Sequence, residues 1–480
     1  MLQLVRRDVG LKFLGEVMSR AVFLVFFFYV GRKMGTADFG TLNLALSSTY
    51  ILGVIFLDPG LNLSTIQMLV SKGDNREQTA SAIFTSKLLL AIPLLFALWL
   101  LSFLMGSRLP GYGVLLLAAL YAVFTAVLEY LSSVTNAYHR MDLEACFKIF
   151  NRLCIVFFCA FALTRGQTAA VLWGMWTATF LSCLLAWIVL HRQLVRIRLV
   201  WAFDLVKQAL KSGLPIAGTM IVSTIYLKWD LLVLSYFNMG KQEIGWYAGA
   251  FKIMEAFSAL PGILGAALFP LMVQLRSENP RNLDRLLGTV TKAVLLFSIP
   301  TAAAISLFSR PLITFVYGPS YAPGARVLAV LIWCIVPIFL YFYLLFVNVA
   351  AGHATHNLFA GSLALVAGLG ANALLVPRLG YVGTAWSALV ANSCFAALAT
   401  GKVCQLFRNA GIPPMLLKFF AAGGLMIAAG FYAPAPLGVQ FAAELVVYAI
   451  VLVGLGALRG EDAALVWRML QFRIQPQTQL

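Results

Sequence analysis

The chain has 480 residues, of which 61% are hydrophobic and 11% charged, with a mean hydropathy of +0.89. Soluble domains carry about twice that share of charged residues, so the composition excludes an ordinary soluble protein, a disordered chain and a nucleic-acid-binding module. The charge balance is nevertheless basic, with 35 Lys and Arg against 18 Asp and Glu and a net charge of +17. On so apolar a chain, this excess predicts loops held against an anionic membrane surface.

Long apolar runs follow one another along the sequence. A helix that crosses a bilayer needs about 20 mostly apolar residues, and 14 runs come near that length. We therefore predict an all-α integral membrane protein with 14 transmembrane helices. The predicted spans are residues 11–30, 41–61, 80–104, 114–134, 145–162, 169–190, 213–237, 245–273, 289–308, 325–350, 358–376, 382–404, 416–432 and 439–458.

Basic residues are unevenly distributed between the two sides of these spans. Counting alternate loops places 24 of them on one side, including Lys87, Lys148 and Arg152, and 8 on the other. Because cytoplasmic loops carry the excess of Lys and Arg, we expect both termini to be cytoplasmic. This count assigns only three basic residues to the spans themselves, namely Arg20, Lys228 and Lys252.

The largest loop separates the sixth and seventh spans. Residues 191–212 are basic, and the spacing of Leu194, Val195, Leu199 and Val200 predicts an amphipathic helix on the cytoplasmic membrane surface. This linker divides the chain into four predicted parts. They are an N-terminal lobe of six spans (1–190), the cytoplasmic amphipathic linker (191–212), a C-terminal lobe of six spans (213–405), and two further spans with a cytoplasmic tail (406–480).

Two stretches of the chain match each other. Met34–Gly40 reads Met-Gly-Thr-Ala-Asp-Phe-Gly and leads into the second span, and Met239–Gly245 reads Met-Gly-Lys-Gln-Glu-Ile-Gly and leads into the eighth. Further on, Asp58-Pro59-Gly60 has a counterpart in Leu260-Pro261-Gly262. Two matches in the same order predict an internal duplication, which is common in transporters.

These motifs, together with Tyr317–Tyr321 (Tyr-Gly-Pro-Ser-Tyr) and Asn372–Ala385, resemble the Wzx-type oligosaccharide-lipid flippases of the multidrug/oligosaccharidyl-lipid/polysaccharide exporter superfamily. The resemblance runs along essentially the whole chain. It implies two pseudo-symmetric six-helix lobes around a central cavity, plus two C-terminal helices, in a bacterial inner membrane. It also implies that the protein flips a polyprenyl-pyrophosphate-linked oligosaccharide from the cytoplasmic to the outer leaflet by alternating access, for O-antigen, capsule or exopolysaccharide assembly.

Several charged residues fall inside the predicted spans, where each costs roughly 2.5–3.5 kcal/mol at the bilayer centre. In the resembling family, spans one, two, seven and eight line the central cavity. We therefore expect Arg20, Lys228 and Lys252 to bind the pyrophosphate of the cargo. The acidic residues would pair with these cations or bind a coupling ion, and they are Glu16, Asp58, Glu129, Asp230 and Glu255. The alternative is that these charges only neutralise one another and fix helix packing.

The sequence offers little support for catalysis. It has no Walker A motif, no metal-ligand spacing and no outer loop large enough for an active site, so we predict a transporter without enzymatic activity, catalytic residues or cofactor. A proton or sodium gradient would supply the drive. The expected partners are the polyprenyl-pyrophosphate-linked glycan, membrane lipids and the polysaccharide polymerase machinery, with no nucleic acid. Two alternatives stay open, namely a cation-coupled multidrug exporter of the same superfamily and a membrane polysaccharide polymerase or ligase.

Overall fold

The computed structural model describes residues 21–71, 75–165, 168–258, 260–278, 280–407, 411–432 and 436–457, and within these ranges the chain is helical, with no strand. It divides into two compact units. Unit 1 comprises Met1–Lys252, Ile313–Gly324 and Asn372–Thr384, and unit 2 comprises Ile253–Leu312, Ala325–Ala371 and Ala385–Leu480.

Unit 1 contains the helices of the first half of the chain. They are α1 (21–34), α2 (Thr36–Phe56), α3 (Leu61–Ser71), α4 (Arg76–Leu89), α5 (Ala91–Met105), α6 (Tyr112–Ala137), α7 (Met141–Ala162), α8 (Thr168–Gln193), α9 (Phe203–Lys228), α10 (Asp230–Tyr236) and most of α11 (Lys241–Ser258). Helix α8 packs against both α6 and α7. The buried Tyr130 hydroxyl on α6 donates a hydrogen bond of 2.6 Å to the Ala80 carbonyl of α4. This bond satisfies the buried hydroxyl of Tyr130.

Unit 2 is built from the later helices. They are α12 (Leu260–Glu278), α13 (Pro280–Leu307), α14 (Ser309–Tyr317), α15 (Ala325–Leu331), α16 (Ile335–Ala350), α17 (Ala354–Leu379), α18 (Tyr381–Leu406), α19 (Ile412–Tyr432) and α20 (Leu437–Gly454), of which α14, α17 and α18 also contribute residues to unit 1. Helix α16 packs against α12 and α13, and α19 packs against α20. The buried hydroxyls of Thr291 and Tyr343 form a hydrogen bond between α13 and α16.

Within the described residues, ten helical stretches are long and apolar enough to cross a membrane. They coincide with the second to sixth and the ninth to thirteenth predicted spans. The seventh and eighth predicted spans each fall on two consecutive helices, α9 with α10 and α11 with α12. The fourteenth coincides with the shorter apolar helix α20, and the first lies half outside the described residues. The prediction of a multi-pass, all-helical membrane protein is confirmed.

The two matching sequence motifs lie against each other in unit 1. Each one leads into a helix, α2 after Gly35 and α11 after Gly240. A Cβ added to Gly40 would lie 2.7 Å from the Gly245 nitrogen, and one added to Gly245 would lie 2.7 Å from the Thr36 carbonyl carbon. Glycine is therefore required on both helices for this close approach. Each contact has its counterpart in the other motif, as an internal duplication predicts.

The linker between α8 and α9 differs from the prediction. No amphipathic helix forms over the apolar part of this stretch, because α8 ends at Gln193 and residues 195–202 belong to no helix. Val195 and Ile197 are buried, whereas Leu199 is exposed. Two backbone N–H groups of this stretch donate hydrogen bonds of 3.0 Å to hydroxyls on α4. These side-chain acceptors satisfy backbone groups that a helix would otherwise pair.

Candidate functional site

The structure describes six of the eight charged residues selected from the sequence. Glu16 and Arg20 lie outside the described residues. Asp58, Glu129, Lys228, Asp230 and Lys252 all belong to unit 1. Glu255 belongs to unit 2 and is on α11, three residues after Lys252.

Asp58 and Glu129 meet around a buried lysine. Asp58 follows α2 and its Oδ1 lies 3.5 Å from Nζ of Lys87 on α4, whose side chain is 1% exposed. Glu129 on α6 interacts electrostatically with both residues. The backbone and side-chain N–H groups of Asn62 donate hydrogen bonds of 3.0 and 2.8 Å to the Asp58 carboxylate. We call Asp58, Lys87 and Glu129 the acid-paired cluster.

The charge count assigns Lys87 to the cytoplasmic side, and the residue also lies inside the predicted span 80–104. Helix α4 carries this residue inside the candidate span Arg76–Arg108. A lone buried lysine would be costly, and the nearby carboxylates offset that cost. Lys148 and Arg152 were assigned to the same side by the charge count, and they lie on α7 within the candidate span Met141–Ala162. The spans therefore contain more cations than the sequence analysis assigned to them.

Glu129 faces other charged groups rather than lipid. Its side chain is exposed although it lies within the long helix α6. Its electrostatic neighbours are Asp58, Lys87, Lys148 and Arg152. Because intramembrane charges face the protein interior or a water-filled space, we expect this charged side of α6 to face the protein rather than the lipid.

Lys228 and Asp230 both contact side chains of α11. Asp230 begins α10, is 6% exposed, and accepts a hydrogen bond of 2.5 Å from the Tyr247 hydroxyl. Lys228, at the end of α9, attracts the same carboxylate electrostatically. The Lys228 Nζ also lies 5.3 Å from the centre of the Phe251 ring. The neighbouring Lys228 and Asp230 thus both contact α11.

Two further cations lie over aromatic rings of α1. The Lys252 Nζ on α11 is 4.6 Å from the centre of the Phe27 ring. The Arg152 Cζ on α7 is 3.9 Å from the centre of the Phe23 ring, one turn earlier on α1. Both distances fall within the range of a cation–π interaction. We call Arg152, Lys228 and Lys252 the ring-held cations.

Sequence reasoning missed Arg152, although one signal was available. Glu144, Lys148 and Arg152 follow at four-residue intervals and therefore share one face of α7. Lys148 pairs with Glu144, with a distance of 2.9 Å from Nζ to Oε1. A charged face within an apolar span would have indicated that α7 turns this side towards the protein.

A cavity of about 190 Å³ lies elsewhere in unit 1, and its lining includes Gly40, Arg108, Asn238 and Lys241. None of the six described site residues lines it. Among the residues that the structure describes, no group of three or more His, Cys, Asp or Glu side chains could hold a metal ion. The charged groups described above offer fixed cations, carboxylates and aromatic rings.

Two family models match the chain. One is described as "Polysaccharide biosynthesis protein" and matches residues 5–276, and the other, described as "MatE", matches residues 215–374. Comparison with curated protein sequences finds no match.

Several solved structures share the fold at low identity. The structure described as lipid II flippase MurJ in an inward closed conformation is 15% identical, with a TM-score of 0.72 over 96% of this chain and 99% of that chain. A multidrug resistance MATE family transporter in an inward-facing conformation is also 15% identical, with a TM-score of 0.64 over 82% of this chain and 98% of that chain. An outward-facing structure of a MATE family transporter gives a TM-score of 0.55 at 15% identity, over 85% and 96% of the two chains. At this identity the likeness concerns the fold alone.

Proposed function

The chain belongs to the polysaccharide biosynthesis protein family, and from this premise we propose that it flips a polyprenyl-pyrophosphate-linked oligosaccharide across the bacterial inner membrane. The cargo would pass from the cytoplasmic to the outer leaflet, for O-antigen, capsule or exopolysaccharide assembly. The superfamily predicted from the sequence motifs is confirmed, and transport rather than catalysis is the activity of the proteins it resembles. The class of glycan that is carried and the direction in which it moves are what we propose.

The family match over residues 5–276 is the observation that carries this proposal. A polysaccharide that is assembled on a membrane lipid must cross the bilayer with its charged linkage. The protein described as a lipid II flippase has the same fold over 96% of this chain. Cations inside membrane-spanning helices support a cargo that carries phosphate, since fixed positive charge replaces the lost hydration of an anion.

The proposed architecture follows the sequence prediction of 14 spans. Residues 1–190 and 213–405 would form two six-helix lobes around a central cavity, joined by the cytoplasmic linker 191–212. Residues 406–480 would add two helices and a cytoplasmic tail. With both termini cytoplasmic, the sugar would enter the cavity from the cytoplasm while the prenyl tail stays in lipid. The outer face would deliver the cargo to the polysaccharide polymerase machinery.

The proposed roles of the charged residues divide by sign. Arg20, Lys228 and Lys252 would bind the pyrophosphate. The acidic residues would hold these cations between transport cycles or bind the coupling ion, and they are Glu16, Asp58, Glu129, Asp230 and Glu255. A proton or sodium gradient could drive the cycle, because one charge moved through 100 mV supplies about 2.3 kcal/mol.

Complementation of a flippase-null strain with a defined sugar repeat tests the proposal. The wild-type protein should restore surface glycan, and Arg20→Ala and Lys252→Ala should each abolish it while the protein still accumulates in the membrane. The matched control is Arg140→Ala, because Arg140 precedes α7, is 42% exposed and pairs with the exposed Asp142 on that helix. If the wild-type protein does not restore surface glycan in a strain that makes the lipid-linked repeats, the flippase assignment is overturned. Normal glycan in both variants would overturn the assigned roles of the two cations.

A cation-coupled multidrug exporter is the second candidate, because the MatE model matches residues 215–374. The same strain distinguishes the two functions. Drug resistance without glycan rescue would favour the exporter, whereas glycan rescue without resistance favours the flippase. The intramembrane cations favour an anionic cargo, since a cationic drug would be repelled by them.

A further inference from the structure

The cavity of about 190 Å³ in unit 1 lies between two connections of the chain, apart from the charged residues assigned to the cargo. One connection is the 3₁₀ turn Gly106–Arg108 between α5 and α6, and the other joins α10 to α11. Among the described residues that line the cavity, Arg108 and Lys241 are charged and none is an aspartate or a glutamate. The uncharged polar residues of the lining are Thr41, Ser107, Ser235 and Asn238.

Arg108 is positioned at the edge of this cavity by three contacts. Its Nε donates a hydrogen bond of 3.0 Å to the side-chain carbonyl of Asn238, which uses one of the five N–H donors of the guanidinium. The Ser235 hydroxyl donates a hydrogen bond of 2.5 Å to the Arg108 backbone carbonyl. The Arg108 Cζ also lies 5.4 Å from the centre of the Tyr236 ring. The guanidinium is thus held in place and can still offer its planar fork to an anion.

Lys241 provides the second cation at the start of α11. The two acidic side chains nearest in sequence to the lining are already engaged. The Glu243 carboxylate accepts a hydrogen bond of 2.7 Å from the Gly240 backbone N–H, and the Asp38 carboxylate accepts one of 3.0 Å from the Thr168 hydroxyl. Neither acid lines the cavity, so the lining itself carries a net positive charge.

An exposed apolar surface begins beside this cavity. Trp99, Phe103 and Leu104 near the end of α5 are exposed, and the first two rings stack with 6.0 Å between their centroids. Tyr236, whose ring contacts Arg108, is exposed as well. Exposed aromatic side chains at the end of an apolar span are typical of the level of the lipid headgroups. Since the charge count assigns both cations to the side opposite the termini, we expect this level to be that of the outer leaflet.

The size and the charge of the cavity restrict what it can bind. Its volume is below the roughly 300 Å³ of pockets for drug-sized ligands and corresponds to about six molecules of liquid water. Arginine and lysine both bind phosphate groups well. A zwitterionic headgroup adds an ammonium group, which two cations repel. An anionic phospholipid offers both a phosphate for the cavity and acyl chains for the apolar surface beside it.

We propose that this cavity binds the headgroup phosphate of an anionic phospholipid of the outer leaflet, with Arg108 and Lys241 as the two cationic contacts. Asn238 positions the guanidinium for this contact. The bound headgroup connects the turn after α5 to the start of α11. This site does not depend on the transported cargo, so it applies equally to a flippase and to an exporter.

Native mass spectrometry of the purified, delipidated full-length protein tests this site. The probes are phosphatidylglycerol, which is anionic, and phosphatidylcholine, which is zwitterionic, each titrated in a neutral detergent. We expect the wild-type protein to retain phosphatidylglycerol in preference to phosphatidylcholine. Arg108→Gln and Lys241→Gln should each lower the affinity for phosphatidylglycerol about tenfold, as expected for the loss of one charge-assisted contact.

Arg378→Gln is the matched control, because Arg378 is exposed, is assigned to the same side of the membrane and does not line the cavity. It should bind phosphatidylglycerol like the wild type. Lys241→Gln leaves the three contacts of Arg108 intact, so it separates loss of charge from displacement of the turn. Equal retention of the two lipids by the wild type, unchanged affinity in both cavity variants, or the same loss in Arg378→Gln would overturn the site. If inorganic phosphate displaces phosphatidylglycerol and raises the melting temperature as much as the lipid does, the site takes free phosphate and the assignment to a lipid is wrong.

Discussion

Two sets of charged side chains in unit 1 hold their cations in different ways. In the acid-paired cluster, Lys87 is 1% exposed and lies 3.5 Å from the Asp58 carboxylate. Among the ring-held cations, Arg152 and Lys252 are partly exposed and lie 3.9 and 4.6 Å from ring centres. A carboxylate neutralises a lysine, whereas a ring attracts it and leaves its charge intact. If the proposed function is correct, the first arrangement fixes helices together and the second receives the anionic cargo.

The two sets overlap in part, and the overlap shows what separates them. Lys87 also has an aromatic neighbour, since its Nζ is 5.9 Å from the centre of the Tyr130 ring. That distance is at the outer limit of a cation–π contact, so the carboxylate dominates. Lys228 combines an electrostatic interaction with Asp230 and a ring at 5.3 Å. We therefore expect that mutating a cation paired with a carboxylate mainly lowers stability. Mutating a cation held by a ring should mainly lower transport.

Lys87→Met should have the largest effect on stability. The substitution removes the cation and leaves Asp58 and Glu129 as neighbouring negative charges inside the membrane-spanning part of unit 1. Breaking a buried pair by removing one partner costs about 3 kcal/mol of unfolding free energy. Chemical unfolding of the purified protein in mixed micelles should show this loss.

A double variant separates loss of the charge from loss of packing. Lys87→Met combined with Asp58→Asn should recover much of the stability, because the uncompensated carboxylate is removed as well. Arg140→Ala is the control, since that exposed pair should change the unfolding free energy by about 1 kcal/mol or less. A Lys87→Met protein as stable as the wild type would remove the distinction between the two sets.

Tyr247→Phe should have an intermediate effect. Tyr247 is fully buried and donates the 2.5 Å hydrogen bond to Asp230. Within the described residues, the other carboxylate oxygen of Asp230 has no hydrogen-bond partner. Loss of the phenol would therefore leave a buried carboxylate without this donor, at about 2 kcal/mol. The unfolding free energy of the purified variant measures the effect.

The exposed Tyr112 provides a matched control, since Tyr112→Phe removes a hydroxyl from a side chain that is 41% exposed. That variant should leave the unfolding free energy within about 0.5 kcal/mol of the wild type. Adding Asp230→Asn to Tyr247→Phe should cost less than the two single effects together, since both act on one contact. Additive losses would show that the phenol and the carboxylate contribute independently.

The sequence predicts the helices of this protein better than it predicts the position of its charges. Apolar length alone predicts ten stretches that the structure folds into helices long enough to cross a membrane, because hydrophobicity over about 20 residues is a local property. The match between the motifs that contain Gly40 and Gly245 is also visible in the sequence, although their contact is not. These features depend on short stretches that can be compared within the sequence.

Lys87 shows why the charges were harder to place. A lysine near the end of an apolar run is counted with the neighbouring loop even when the predicted span contains it, because a lone charge inside the membrane is costly. Its partner Asp58 lies on a different part of the chain, so the pairing appears only once the helices are packed. Arg152 was missed for the same reason, because the ring that it contacts belongs to α1. Which charges can be buried is decided by tertiary partners rather than by local sequence.

The contact between Lys252 and Phe27 should have the smallest effect on stability. Phe27 is 3% exposed, so Phe27→Leu alone would mix a packing loss with loss of the cation–π contact. A double-mutant cycle with Lys252→Met isolates the contact, and we expect a coupling of about 0.5–1 kcal/mol in unfolding free energy. A cycle on Lys87 and Asp58 should give a clearly larger coupling. If Lys252 and Phe27 were coupled as strongly as that ion pair, the ring would be serving as a structural partner, and Lys252 would have little freedom to leave it for a phosphate.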